Sequence, residues 1–180
     1  MKLRTGTLAF IGAGATTVLC WLLFIFYFHS PASQALFVLG NLLVGVGSLL
    51  IVLAMTTLRR AGDPQASDDF TSTTVVVTRG IYGLVRHPLY LGWMLMYPAA
   101  MLVSQHWLVV LVGAIGILSI DRITRVEDQE LVEKFGADYE SYRHDVPRLN
   151  ILLGIARKLR RRAEYRSALA SFPSKQGYFG

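Results

Sequence analysis

Four apolar runs separated by short polar stretches occupy the first 120 residues. Residues 7–28 and 35–58 each reach the roughly 20 apolar residues that cross a bilayer as helix, and they predict a hairpin turning at 29–34. From 59 to 74 the pattern becomes polar. Gly62, Asp63, Pro64 and Ala66-Ser67-Asp68-Asp69 supply loop chemistry, and this stretch reads as a mobile lid. Thr74, Val75, Val76, Val77 and Thr78 are β-branched and predict extended backbone leading into an elbow at residues 80–87. His87 precedes proline and is biased away from helix, whereas Pro88 suits the first turn of the helix that follows. Two further apolar runs, 89–103 and 107–120, flank Ser104-Gln105-His106. As helices they measure about 20–23 Å against a hydrocarbon core near 30 Å, so either their flanks help fill the membrane or the pair is a short re-entrant hairpin. Pro98 is expected to bend the first of them and to free the carbonyl of Met94.

Past Ile120 the chain turns amphipathic. Ile120, Ile123, Glu127 and Leu131 recur at helical spacing, which puts Glu127 on an otherwise apolar stripe and Asp128 nearer its flank. By spacing alone Glu127 also reads as an ordinary solvated charge within Glu127-Asp128-Gln129-Glu130. Phe135-Gly136 predicts the end of this helix, and Tyr139, Tyr142 and Val146-Pro147-Arg148 a second, short interfacial segment. The expected fold is an all-α integral-membrane domain spanning residues 1–180. It has about four transmembrane helices, the last two either full spans or a short hairpin, and amphipathic C-terminal helices on the cytoplasmic side. Within it, residues 7–58 form the first hairpin, 59–149 the core that carries the polar chemistry, and 150–180 a basic tail.

Composition agrees with a membrane protein: 53% of the residues are hydrophobic and 17% charged, and the mean hydropathy is +0.43. The lone cysteine, Cys20, lies in an apolar run, which leaves no internal disulfide framework and no cysteine metal cluster to expect. Lys2 and Arg4 precede an apolar run longer than the roughly 7–15 residues of a signal-peptide core, so the run reads as a retained span. Gly12 and Gly14 resemble the start of a nucleotide-binding glycine loop, but no strand precedes them; helix packing is the better reading, as for Gly40, Gly45 and Gly47. If all four runs span, every Lys and Arg falls on one side, and the positive-inside rule places both termini in the cytoplasm. A bacterial or archaeal inner membrane and an endoplasmic-reticulum-type membrane fit equally. The basic stretch 157–166 is expected to rest on anionic lipid headgroups. Nucleic acid is a poor partner for it, since no folded reader accompanies the charge.

With these segments in view, the chain resembles the isoprenylcysteine carboxyl methyltransferase family and its relatives, the phospholipid methyltransferases. The resemblance rests on Val77-Thr78-Arg79-Gly80-Ile81-Tyr82, on Arg86-His87-Pro88-Leu89-Tyr90-Leu91-Gly92-Trp93, and on Glu127-Asp128 followed by Leu131, Phe135-Gly136, Tyr139, Tyr142 and Val146-Pro147-Arg148. It implies an integral-membrane enzyme that takes its methyl group from S-adenosylmethionine on the cytoplasmic side, without a metal, and passes it to a lipophilic or lipid-borne acceptor. Carried over, Thr74, Val75, Val76 and Val77 would offer backbone contacts to the donor. Tyr82, His87, Pro88, Leu89 and Tyr90 would line its pocket and Glu127 would complete it, with Arg86, His87 and Glu127 as the catalytic set. Glu127 would take the donor's amino group, and His87 or Arg86 its carboxylate.

Three departures bear on the acceptor. Asp128 stands where the family has a second glutamate. Ile123 stands where it has an acceptor-side arginine, with Arg122 and Arg125 on either side. Leu149-Asn150 stands where a proline follows Val-Pro-Arg. A carboxylate or thiolate acceptor arrives nucleophilic, whereas an ammonium headgroup must first lose a proton and no base is evident; this favours a carboxyl or thiol acceptor over phosphatidylethanolamine. A phospholipid N-methyltransferase and a small-thiol S-methyltransferase remain alternatives, as do an NADPH-dependent reductase of the sterol reductase type and a non-catalytic membrane scaffold.

Overall fold

The computed structural model describes residues 5–27, 32–61 and 74–171. Of the segment expected to form the lid, residues 59–61 are the end of a helix and 62–73 lie outside the described residues, as do Lys2, Arg4 and His29. Six helices are described: α1 (Thr5–Tyr27), α2 (Gln34–Ala61), α3 (Pro88–Ser104), α4 (Trp107–Phe135), α5 (Ala137–Asp145) and α6 (Ile151–Ser171), with a 3-10 turn at Gly80–Gly83 and no strand among the described residues. Residues 74–79 form irregular backbone rather than a strand.

Helices α2 and α4 are long and apolar enough to cross a membrane, while α3 and the stretch Gly14–Phe26 of α1 are apolar but shorter. Leu42, Leu49 and Val52 on α2 and Leu111, Ile115 and Leu118 on α4 are exposed. This surface suits hydrocarbon as its solvent. The buried polar and small residues lie inside, where α3 packs against α2, α4 and α1.

The helix that begins with the last apolar run does not stop near Ile120. It continues as a single 29-residue helix to Phe135, because Asp121 to Lys134 contains no glycine or proline and every residue there tolerates helix. Pro98 lies inside α3. Gly136, at φ +57°, ends α4 as expected, and the chain restarts at once as α5. The basic tail is also helical: Asn150 accepts a hydrogen bond from the Leu153 amide (3.0 Å) and caps the start of α6. That gives a local reason for asparagine at a position where the resemblance leads one to expect proline.

Two glycines set a close contact between α2 and α3. A Cβ at Gly92 of α3 would lie 2.8 Å from the Gly47 carbonyl and 2.6 Å from Ile51 of α2, and one at Gly47 would lie 2.9 Å from the Gly92 carbonyl. The packing reading therefore holds for Gly47, and for Gly40 against Val103, but Gly12, Gly14 and Gly45 meet nothing within 4 Å. Gly92→Ala is expected to force α2 and α3 apart at a cost of about 1–3 kcal/mol. A lowered thermal unfolding midpoint in detergent would show it; an unchanged midpoint would mean that the helix pair adjusts freely.

At the far end of α3, Gln105 adopts a left-handed conformation (φ 51°). Its side chain accepts from the Ser33 amide (2.8 Å) and donates to the Ser33 carbonyl (2.7 Å), clipping the α3–α4 turn to the start of α2.

Candidate functional site

The site is built where the elbow meets the C-terminal half of α4. The Arg86 amide donates to the Pro147 carbonyl (3.0 Å) and the His87 amide to the Arg148 carbonyl (3.2 Å), so Val146-Pro147-Arg148 backs the elbow as a short main-chain brace. Tyr142 adds a second tie, its hydroxyl donating to the Tyr82 carbonyl (2.7 Å). His87 occupies the cap position of α3, with Pro88 in the first turn, as the sequence predicts.

These ties aim the elbow's side chains at one carboxylate, that of Asp128. Arg86 Nη2 lies 3.0 Å from Asp128 Oδ2, His87 Nε2 lies 2.9 Å from Oδ1, and the Tyr139 hydroxyl donates to the same Oδ1 at 2.6 Å. All four side chains are at least nine-tenths buried or close to it, with Arg86 8%, Asp128 10% and His87 4% exposed. Burial first, and the hydrogen bond to Asp128 second, push the Tyr139 phenol above the ordinary tyrosine range; it stays protonated and acts as a donor. The arrangement holds Asp128 as a carboxylate with three donors and fixes the elbow against α4 and α5 together.

This corrects the expected face of α4. The buried positions are Val109, Gly113, Gly116, Ile120, Thr124 and Asp128, a stripe at spacings of three and four that contains Asp128 and not Glu127. Thr124 and Asp128 are polar, so a reading based on apolar spacing passes over them and settles one position too early, on Ile123 and Glu127. Asp128 is therefore a central buried partner of the elbow rather than a flank residue. Tyr139, read from sequence as packing beneath the site, is its third donor. The signal for it was its place three residues beyond Gly136, whose positive φ turns the chain back toward α4.

Glu127 serves a different neighbourhood. Its carboxylate faces the Tyr90 hydroxyl, and its charge adds to burial in raising the Tyr82 phenol above its usual range. Yet Glu127 Oε2 is buried without a hydrogen-bond partner among the described residues, and so are Nε and Nη1 of Arg86. Buried polar atoms are normally satisfied, and here an acceptor on α4 and two donors on the elbow are left open among the described residues.

The other expected residues fall into two groups. Pro88, Leu89 and Tyr90 are buried at the start of α3, and Tyr82 is half-buried beside Glu127. Val77 is buried and Val76 packs against the α5 tyrosines, while Thr74 and Val75 are exposed. Arg122 and Arg125 are exposed; Arg125 pairs with Asp121 (3.0 Å), which also takes Arg148. Ile123 packs into the apolar core around Tyr97 and Ile120.

The profile of the phospholipid methyltransferase family matches residues 35–138, more than half of the chain, and takes in the elbow, Glu127 and Asp128. The chain belongs to that family. Among its relatives are the protein-S-isoprenylcysteine O-methyltransferase of Saccharomyces cerevisiae, 33% identical over 120 residues, covering 66% of this chain and 50% of that protein, and the enzyme of the same name from Dictyostelium discoideum, 26% identical over 129 residues, covering 67% and 52%. The methanethiol S-methyltransferase of Crocosphaera subtropica is 34% identical over 77 residues, covering 43% of this chain and 29% of that protein. The chain thus spans about half the length of the two isoprenylcysteine methyltransferases it matches. No solved structure matches it.

Proposed function

We propose that this member of the phospholipid methyltransferase family is an integral-membrane enzyme that transfers a methyl group from S-adenosylmethionine to a lipophilic carboxylate or thiolate, with residues 59–149 as its core. The observation that carries this reading is the open, buried polarity at the elbow: Arg86 Nε and Nη1 as donors and Glu127 Oε2 as acceptor. A zwitterionic amino-acid end fits that donor set, its carboxylate against Arg86 and its ammonium against Glu127. When bound, S-adenosylmethionine supplies a methyl group on a sulfonium, ready for in-line displacement.

The chain's own residues then bind, orient and exclude water. Asp128 and Tyr139 hold Arg86 and His87 in place. Tyr82 and Tyr90 wall the pocket beside Glu127, and Pro88 and Leu89 close it on the membrane side. Rate then comes from alignment and loss of water rather than from a base, which suits an acceptor that arrives as an anion. Both termini lie in the cytoplasm, and the exposed Arg162 and Arg166 of α6 meet anionic lipid headgroups.

The names of the relatives favour two acceptor classes, a prenylated cysteine carboxylate and a small thiol. Incubation with radiolabelled methyl donor and native membrane extract separates them: base-labile label indicates an ester, and base-stable label indicates sulfur or nitrogen. Absence of label, together with absence of S-adenosylhomocysteine binding by calorimetric titration, would overturn the enzyme reading and leave a membrane scaffold.

A further inference from the structure

Helix α6 is amphipathic, and it is turned the opposite way from a helix that packs on a soluble protein. Its charged side faces inward. Arg161 pairs with Asp145 of α5 (2.8 Å) and donates to the Asp145 carbonyl (3.3 Å), and Arg157 donates to the His144 carbonyl (3.3 Å). Arg157, Lys158 and Arg161 share a cavity of about 450 Å³ with Asp138, Asp145 and Tyr142. Outward, at spacings of three and four on the other side of the helix, stand Leu152, Ile155 and Leu159, which are 76%, 39% and 60% exposed. The usual solution for such a helix buries the apolar stripe against the core and leaves the charges in water. Here the ion pairs and hydrogen bonds with α5 hold the reverse orientation.

The level of the helix says what covers the stripe. Gly80 abuts Thr57 of α2, within one turn of Arg59 and Arg60, where the apolar run of α2 ends. Just past that 3-10 turn, Leu84 presents its carbonyl to Gly154, so closely that no side chain fits there. The first turn of α6 is therefore fastened beside the boundary at which α2 leaves hydrocarbon. Leu152, Ile155 and Leu159 are followed on the same face, at spacings of three and four, by the exposed Arg162 and Arg166.

We infer that α6 is an in-plane anchor, with Leu152, Ile155 and Leu159 sunk into the leaflet that receives the end of α2 and its inward basic face hydrated through the cavity against α5. This rests on the membrane reading above and on nothing about the reaction. Because Gly154 bears on Leu84, two residues before Arg86, the leaflet's hold on α6 also steadies the elbow.

The test uses the 180-residue chain with Cys20→Ala, reconstituted in bilayers containing anionic lipid and spin-labelled at single cysteines. Labels at Leu152, Ile155 and Leu159 are expected to show oxygen-to-nickel-chelate accessibility ratios several-fold above those at Arg160 and Glu164, and close to the ratio at Leu49 on α2. Ratios at the stripe equal to those at Arg160, with Leu49 still lipid-like, would overturn the inference while leaving the membrane reading intact. Protection of the stripe from both reagents, with dipolar broadening between labels, would mean that a second copy covers it and would also overturn the inference. A water-like Leu49 would bring down the membrane reading itself.

Discussion

Asp128→Ala is expected to destabilise the protein by about 3–5 kcal/mol, the cost of removing one partner from a buried ion pair. The change strands three donors at once, since Arg86, His87 and Tyr139 all converge on that carboxylate. The elbow would keep its backbone bonds to Pro147 and Arg148 but lose its side-chain hold on α4. Asp128→Asn presents an amide donor where the site supplies only donors, so it should recover little. Asp128→Glu keeps the anion and should recover part. Tyr139→Phe removes one donor and is expected to cost about 1.5 kcal/mol. Thermal unfolding in detergent micelles orders the series. If Asp128→Ala melts with the parent, the carboxylate does not hold the elbow.

Glu127 should behave in the opposite way. Its Oε2 has no partner among the described residues, so Glu127→Gln is expected to leave the unfolding midpoint unchanged or slightly raised. Donor binding should weaken roughly ten- to a hundred-fold, because a charge-assisted hydrogen bond to the ammonium contributes about 1.5–3 kcal/mol. Glu127→Ala should weaken it further. Calorimetric titration with S-adenosylhomocysteine reads the affinity and a melting scan of the same sample reads the fold. Parent-like affinity in Glu127→Gln would remove Glu127 from the donor site. The contrast between neighbours matters most: on these expectations one carboxylate serves the structure and the other the proposed donor.

How far this could be read from the chain depends on how many residues carry each signal. Hydropathy acts over some twenty positions, so the ends of α1 and α2 fall within a few residues of the expected runs. The elbow and the stop at Gly136 were equally plain, because proline and glycine act on the backbone directly. The choice between Glu127 and Asp128 rested on one position of helical phase. The buried stripe of α4 turns polar at Thr124 and Asp128, and a polar residue looks the same in sequence whether it faces water or a ring of donors. Tyr139 was hidden for the same reason, since its partner lies across a turn. The orientation of α6 was also beyond reach: basic composition suggests charges turned outward to lipid, whereas Asp145 and the α5 carbonyls draw two of them inward.

The pair of bonds between Gln105 and Ser33 works as a fulcrum. With that extremity of the bundle fixed, the helices cannot slide apart as parallel rods, and any widening must grow with distance from it, like jaws opening about a rivet. The jaws' tips are the first turn of α3 and the last turns of α4, where Arg86 and Asp128 meet. Asp128, lying far along the bundle from that rivet, therefore holds the helices together with a long lever.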